Sequence, residues 1–294
     1  MIIVSGAAGK LGRRVVELLI EGGAASGVRA LSRTPDKLAD LAARGVETRA
    51  ADFDAPGTLA PAFEGGDVLL LISTDNIMEP GARIRQHGAA INAAQAAGVR
   101  QIVYTSAIGP VPENPVPINR DHAETERLLR ESGLAWTMLR NTLYTEFLID
   151  VGAINPGGLV GNTGAGRVAH VTRADCAAAA ASVLLDPAPH AGQAYDITGP
   201  AALTKGEIAA ILTEVVGRPV PNINLDDATF RAGVIGAGVP AVLADVVVAY
   251  GLAARDGWLA KPSPAVADLT GRPATSARDF FQANRPALLA ALGG

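Results

Sequence analysis

The sequence predicts an α/β fold: a doubly wound parallel sheet carrying a smaller, mostly helical C-terminal lobe. Three observations predict it. From the first residue to about residue 141, short apolar segments alternate with segments of helical periodicity, the pattern of repeated βαβ units. Segments such as DVLLLIS are nearly all apolar, as a strand covered on both faces must be. Beyond residue 141 the rhythm breaks. A glycine-rich stretch, NPGGLVGNTGAGRVAHV, leads into a mostly helical remainder punctuated by Pro240, Pro262, Pro264 and Pro273.

In chain order, IIVSG is the first strand, and KLGRRVVELLIEGG places Leu11, Val15, Leu18 and Leu19 at helical spacing. VRALSR is the second strand. TPDKLADLAARG reads as a helix with Thr34 as N-cap, Pro35 at the first helical position and Gly45 at its end. VETRAADF, DVLLLIS, QIVYTSA and LAWTMLRN are the third to sixth strands; GARIRQHGAAINAAQAAG and HAETERLLRESG are helices between them. NTLYTEFLIDVGAI reads as an irregular helical excursion, TRADCAAAAASVLLD as a helix and QAYDITG as a strand. Thr204 and Glu207 form a capping box at the start of TKGEIAAILTEVVG, and RPVPNINL is extended. The expected division is residues 1–141 as one domain and 142–294 as the lobe, with elements around 168–200 returning to the first domain.

The 294 residues are 49% hydrophobic and 18% charged, enough to bury a substantial core. A net charge of -4, 4% aromatics and no basic stripe argue against a nucleic-acid partner. The single cysteine, Cys176, excludes an intrachain disulfide, and no Cys/His cluster has metal-ligand spacing, so no metal is expected. No apolar run reaches the roughly 20 residues of a membrane helix; VLADVVVAY is short and carries Asp245. The apolar start lacks a basic leader and runs straight into a glycine loop, so the expected location is the cytoplasm.

That loop, SGAAGKLG, sits between the first strand and the first helix. Gly6 lies where the chain must turn, Gly9 where backbone can approach a pyrophosphate, and Gly12 where the helix packs on the sheet. The loop residues Gly6, Ala8, Gly9, Lys10, Leu11 and Gly12 are therefore candidate cofactor contacts in a Rossmann-type sheet. At the end of the second strand NAD enzymes place a carboxylate for the ribose hydroxyls. Here the chain reads Ser32, Arg33, and a guanidinium suits a 2′-phosphate, with Lys37 as a second cation. This favours NADP(H) over NAD(H), against the plainer reading of Arg33 as a surface residue. Asp52 can accept from the adenine amino group with Phe53 beside the base, or Asp52 can cap a helix. Ile72, Ser73 and Thr74 come to the sheet edge beside the same crevice.

GAAGKLG, LSR, AADFD, LLLIS, AAGVRQIVYTSA, HAETERLLRESGLAWTMLRNTLYTEF and VTRADCAAAAA occur in this order. Together they resemble the NmrA-like atypical short-chain dehydrogenase/reductases, within them the group of NADPH:quinone oxidoreductase type 2 and triphenylmethane reductase. The resemblance spans essentially the whole chain, with LRNTLYTEF its most specific stretch. It implies phosphate contacts from Gly6, Gly9, Lys10 and Leu11, and 2′-phosphate contacts from Arg33 with Lys37. It further implies that Tyr104, Thr105 and Ser106 sit near the nicotinamide end, with Asn141 beside the ring and Tyr144 lining the substrate cleft. The group includes dimers, which makes a homodimer the expectation.

Ordinary short-chain dehydrogenases use a Tyr-x-x-x-Lys pair. Matched on Glu126 and SGLAWT, those positions fall on Ile118 and His122, so the pair is absent. An acceptor that spreads the added charge over a conjugated system needs no strong protein acid, which fits a quinone-like small molecule. His122, Asn141 and Tyr144 are the candidate catalytic residues. His122, with a near-neutral pKa, is placed to hold the ribose or donate a proton, or it is a helix-surface residue. Tyr144 stacks on a flat acceptor, or it is a core tyrosine. His87 and His170 have no partner set and read as structural. The alternatives to a quinone reductase are a reductase of other carbonyl or aromatic compounds and a non-catalytic NADP(H)-sensing regulator of the NmrA type.

Overall fold

The short apolar segments form β1 (Ile2–Val4), β2 (Val28–Ser32), β3 (Glu47–Ala50), β4 (Val68–Leu71), β5 (Gln101–Ala107) and β6 (Ala135–Asn141). With the strand Gln193–Ile197 they build one seven-stranded sheet, ordered Gln193–Ile197, β6, β5, β4, β1, β2, β3. β1 pairs in parallel with β2 and with β4, Ile3 standing opposite Arg29 on one side and Leu69 on the other. The β2–β3 and β4–β5 pairs are parallel as well. Strand order reverses between β1 and β4, which makes that crevice the switch point where a doubly wound, Rossmann-type sheet binds its ligand.

The computed structural model describes residues 1–293, and the chain divides into two units. The first comprises Met1–Ala107, Asp121–Arg140 and Cys176–Asp196. Its helices include α1 (Lys10–Glu21), α2 (Ala39–Ala42), α3 (Leu59–Phe63), α4 (Ala82–Ala96) and, from Asp121 onward, α5 (Pro117–Glu131). All four residues of β4 are buried, as its unbroken apolar run requires. Ile3, Phe63, Leu69, Leu71, Ala90, Ile102 and Tyr104 belong to one apolar core in this unit.

Two elements differ from the sequence reading, each for a local reason. β3 stops at Ala50 because the next residues turn: Asp54 N–H donates to Asp52 Oδ1 at 3.0 Å, and Asp52 N–H donates to Thr58 Oγ1 at 3.0 Å. The segment after β2 is a 3-10 turn, Pro35–Leu38, leading into the short α2, and Thr34 gives it no side-chain cap. There Thr34 N–H donates instead to Ser32 Oγ at 3.0 Å.

The second unit comprises Ile108–Arg120, Asn141–Asp175 and Ile197–Gly294. The glycine-rich stretch yields short strands, Ile154–Asn155 and Gly158–Gly161, the latter paired in parallel with Asn222–Asn224. The helix Lys205–Val216 opens on the capping box, with Thr204 and Glu207 capping each other reciprocally. Further helices are Asp227–Gly236, Ala241–Arg255, Ala265–Thr270, Ala277–Ala283 and Arg285–Ala291. Leu159, Ile208, Leu212, Phe280, Phe281 and Leu288 belong to a core of this unit. Among the described residues no helix is long and apolar enough to cross a membrane.

Candidate functional site

In the first unit, each glycine of SGAAGKLG has its own steric reason. Gly6 has φ +59°, a conformation that side-chain-bearing residues avoid. A Cβ on Gly12 would stand 2.5 Å from the Gly6 carbonyl oxygen, and one on Gly9 would stand 3.3 Å from it. Gly9 N–H donates to the same oxygen at 2.9 Å. Gly9 is also the N-cap of α1, so no side chain caps that helix start. The first N–H groups of a helix have no intrahelical acceptors, and the helix dipole is positive there. Gly6 and Gly9 are exposed, and the loop therefore offers donors to an anion at close backbone range.

Arg33, just past β2, is exposed, and so is Lys37. Neither side chain forms an ion pair among the described residues. Arg13 fixes the turn that carries Lys37: its guanidinium donates to Lys37 O at 2.7 Å and to Asp40 Oδ2 at 2.6 Å. Asp52 closes a turn instead of capping a helix, and Phe53 is half-buried against the sheet core. Ile72, Ser73 and Thr74 are partly exposed. Ile72 flanks the glycine loop, its Cβ 3.7 Å from where a Cβ on Gly6 would lie.

Behind this edge lies a buried polar cluster. Tyr104 is 0% exposed and His122 is 5% exposed. Arg83 Nη2 lies 3.1 Å from His122 Nε2, and Tyr104 Oη lies 2.8 Å from His122 Nδ1. A guanidinium has only donors, so Nε2 must accept and the imidazole proton sits on Nδ1, donated to Tyr104. His122 thus has neither a near-neutral pKa nor a place on the helix surface. Burial first, and the Arg83 charge second, pull its pKa well below the usual 6.5. Burial likewise raises the Tyr104 hydroxyl above its ordinary range. Asp121, 3.1 Å from Arg83 Nε, is raised by burial against the opposing pull of Arg83.

Ser106 also faces inward, donating to Glu126 Oε1 at 2.7 Å. Glu126 is 1% exposed. It accepts from Arg140 at 2.9 and 2.7 Å and from Arg130 at 2.7 Å. Burial pushes its pKa up, but the Arg140 and Ser106 hydrogen bonds outweigh that and hold it below the usual 4.5. The sequence does not single out Arg83. Its available signal was spacing: Arg83 and His87 stand four apart on α4, as Asp121 and Thr125 do on α5.

In the second unit, Asn141 Nδ2 donates to Tyr144 Oη at 3.2 Å. Asn141 is 8% exposed, and its Oδ1 has no hydrogen-bond partner among the described residues. Tyr144 and Phe147 tilt together with ring centroids 5.5 Å apart. The Arg173 guanidinium carbon lies 5.3 Å from the Tyr144 centroid and 5.4 Å from that of Phe147. Arg173 is itself held by Asp150 at 2.7 Å. The result is a tilted aromatic pair with a cation over both rings.

Quinone oxidoreductase 2 of Escherichia coli (strain K12) is 39% identical over 278 residues, spanning 94% of this chain and 96% of that protein. The crystal structure of NADPH-dependent quinone oxidoreductase QOR2 from Escherichia coli complexed with NADPH superposes with a TM-score of 0.90 at 38% identity, covering 96% of this chain and 99% of that one. The Citrobacter sp. triphenylmethane reductase complexed with NADP(H) gives a TM-score of 0.88 at 33% identity, covering 96% of this chain and 100% of that one. The family described as NAD(P)H-binding matches residues 6–187, a stretch that begins at the first glycine of the loop, and the chain belongs to that family.

Proposed function

We propose that this protein is an NADPH-dependent oxidoreductase that passes hydride to quinones or similarly conjugated small acceptors. The observation that carries the reading is full-length likeness, at a TM-score of 0.90, to an NADPH-dependent quinone oxidoreductase. The residues present fit the cofactor. The uncapped start of α1 would offer backbone donors to the pyrophosphate, and Arg33 with Lys37 would supply exposed cations for a 2′-phosphate. Asn141 Oδ1, a buried acceptor without a hydrogen-bond partner among the described residues, would accept from the carboxamide of the ring. In this reading residues 1–141 bind the dinucleotide and 142–294 form the substrate lobe, with the segments around 168–200 returning to the first domain.

Bound NADPH supplies the hydride. The chain's own contribution is placement and a partly exposed aromatic surface. Tyr144 and Phe147 offer aromatic faces for a planar acceptor. His122 moves no proton: one ring nitrogen accepts from Arg83 and the other donates to Tyr104. An acceptor that ends as a stabilised anion or a neutralised cation needs no such acid and takes any proton from water.

The test mixes purified protein with NADPH and a panel of quinones and cationic dyes and follows the NADPH absorbance band. Loss of absorbance with at least one acceptor is expected. NADPH binding with no loss across the panel would point instead to a dinucleotide-sensing regulator.

A further inference from the structure

After β4 ends at Leu71, three successive backbone N–H groups leave the sheet, and each finds a side-chain acceptor. Ile72 N–H donates to Ser5 Oγ at 2.9 Å, Ser73 N–H to Thr105 Oγ1 at 2.8 Å, and Thr74 N–H to His87 Nε2 at 3.0 Å. The Thr74 carbonyl accepts from Arg83 Nη1. The four anchoring side chains come from the residue just after β1, from β5 and from α4 and are buried: Ser5 1%, Thr105 3%, His87 0% and Arg83 4% exposed. Ile72–Thr74 themselves are partly exposed.

The anchors impose chemistry on one another. A backbone N–H can only donate, so His87 Nε2 must be a lone pair and the imidazole proton sits on Nδ1. That proton goes to Thr125 Oγ1, 2.8 Å away, and Thr125 in turn donates to Asp121 O at 2.7 Å. Arg83 donates both to Thr74 O and to His122, which ties the second histidine into the same brace. Burying this many polar groups costs free energy unless every one is paired. An ordinary strand end needs no such investment, because its backbone groups can turn to solvent or to a neighbouring strand.

We infer that Ser5, Thr105, His87 and Arg83 are positioning residues that hold the Ile72–Thr74 backbone as a rigid wall beside the glycine loop, pre-shaped for the dinucleotide. The inference rests on the reading of that loop as an NADPH site. Ile72 supplies the join, since it flanks Gly6 at van der Waals range. The histidines, which read from sequence as structural or as acid candidates, gain a shared role: each is neutral, with Nε2 accepting and Nδ1 donating.

The test uses His87→Leu, His87→Gln and Ser5→Ala, with three readouts: amide hydrogen exchange at residues 72–74 in the ligand-free protein, NADPH affinity by fluorescence titration, and melting temperature. His87→Leu removes the acceptor for Thr74 N–H, and Ser5→Ala removes the one for Ile72 N–H. Each should speed exchange at its own amide and weaken NADPH binding by about fivefold, the worth of one buried hydrogen bond. KM for NADPH should rise by more than kcat falls. His87→Gln places an amide oxygen near the Nε2 position and should recover most of the affinity. Should His87→Leu fail to fold, Ser5→Ala and His87→Gln decide. Variants that melt lower yet bind NADPH as tightly as wild type would overturn the inference, leaving only a structural brace. So would unchanged exchange at 72–74. If the wild-type chain does not bind NADPH, the functional reading falls, and the wall loses its ligand while the exchange result still reports whether the brace exists.

Discussion

At the scale of single residues, charge placement decides the cofactor. Arg33 is exposed and forms no ion pair among the described residues, which leaves its guanidinium available to a phosphate. Arg33→Glu should weaken NADPH binding by about 10- to 100-fold, the ~1.5–3 kcal/mol of a charge-assisted contact, while NADH binding changes much less. Equal affinities of wild type and variant for NADPH in a titration would contradict this. The buried histidines make a second prediction. Burial and the Arg83 charge pull His87 down to about 3 from its usual 6.5. Between those values the unfolded chain binds a proton that the folded chain refuses, so stability is full above about 6.5 and falls as pH drops through that window. Melting temperature should therefore decline below about pH 6.5, before carboxylates near 4.5 begin to titrate, and His87→Gln should make the decline shallower, with His122 and His170 contributing the rest. A wild-type melting temperature level across that range would refute it. Arg33 and the glycines were legible in the sequence because their meaning lies in position along one βα unit. The neutral state of His122 was not, because Arg83 stands 39 positions away and only the packing of α4 against α5 brings them together.

At the scale of elements, the strongest sequence signals became structure with little change. QIVYTSA is β5 from its first residue to its last, and Thr204 with Glu207 caps its helix as the spacing implied. The weaker signals yielded to side chains from elsewhere. VETRAADF kept only Glu47–Ala50 as strand, since the Thr58 hydroxyl and the Asp52 carboxylate captured the next backbone groups. The helix expected after Thr34 became a 3-10 turn pinned by Arg13 from α1. Tight packing of α1 on the glycine loop gives the prediction at this scale. Gly12→Ala puts a methyl 2.5 Å from the Gly6 carbonyl oxygen, against backbone that cannot swing aside. The substitution should cost about 1–3 kcal/mol of stability, as overpacking does, and should weaken NADPH binding by displacing the helix start. Wild-type denaturation and binding in Gly12→Ala would show that the loop tolerates the methyl.

At the scale of the whole molecule, fold and function class were readable because alternation, glycine spacing and ordered motifs are all linear properties of the chain. The acceptor is less legible. The helices Asp227–Gly236 and Ala241–Arg255 pair Arg231 with Asp245 and Arg255 with Asp227, and their sequence carries no pattern that names an acceptor. The central claim is that the chain turns NADPH over, not merely that it holds it. The most direct measurement counts NADPH oxidised per chain with a quinone in large excess, run in parallel with NADH. The proposed activity entails many turnovers per chain and a clear preference for NADPH. Oxidation limited to one equivalent or less, with NADPH tightly bound throughout, would contradict it.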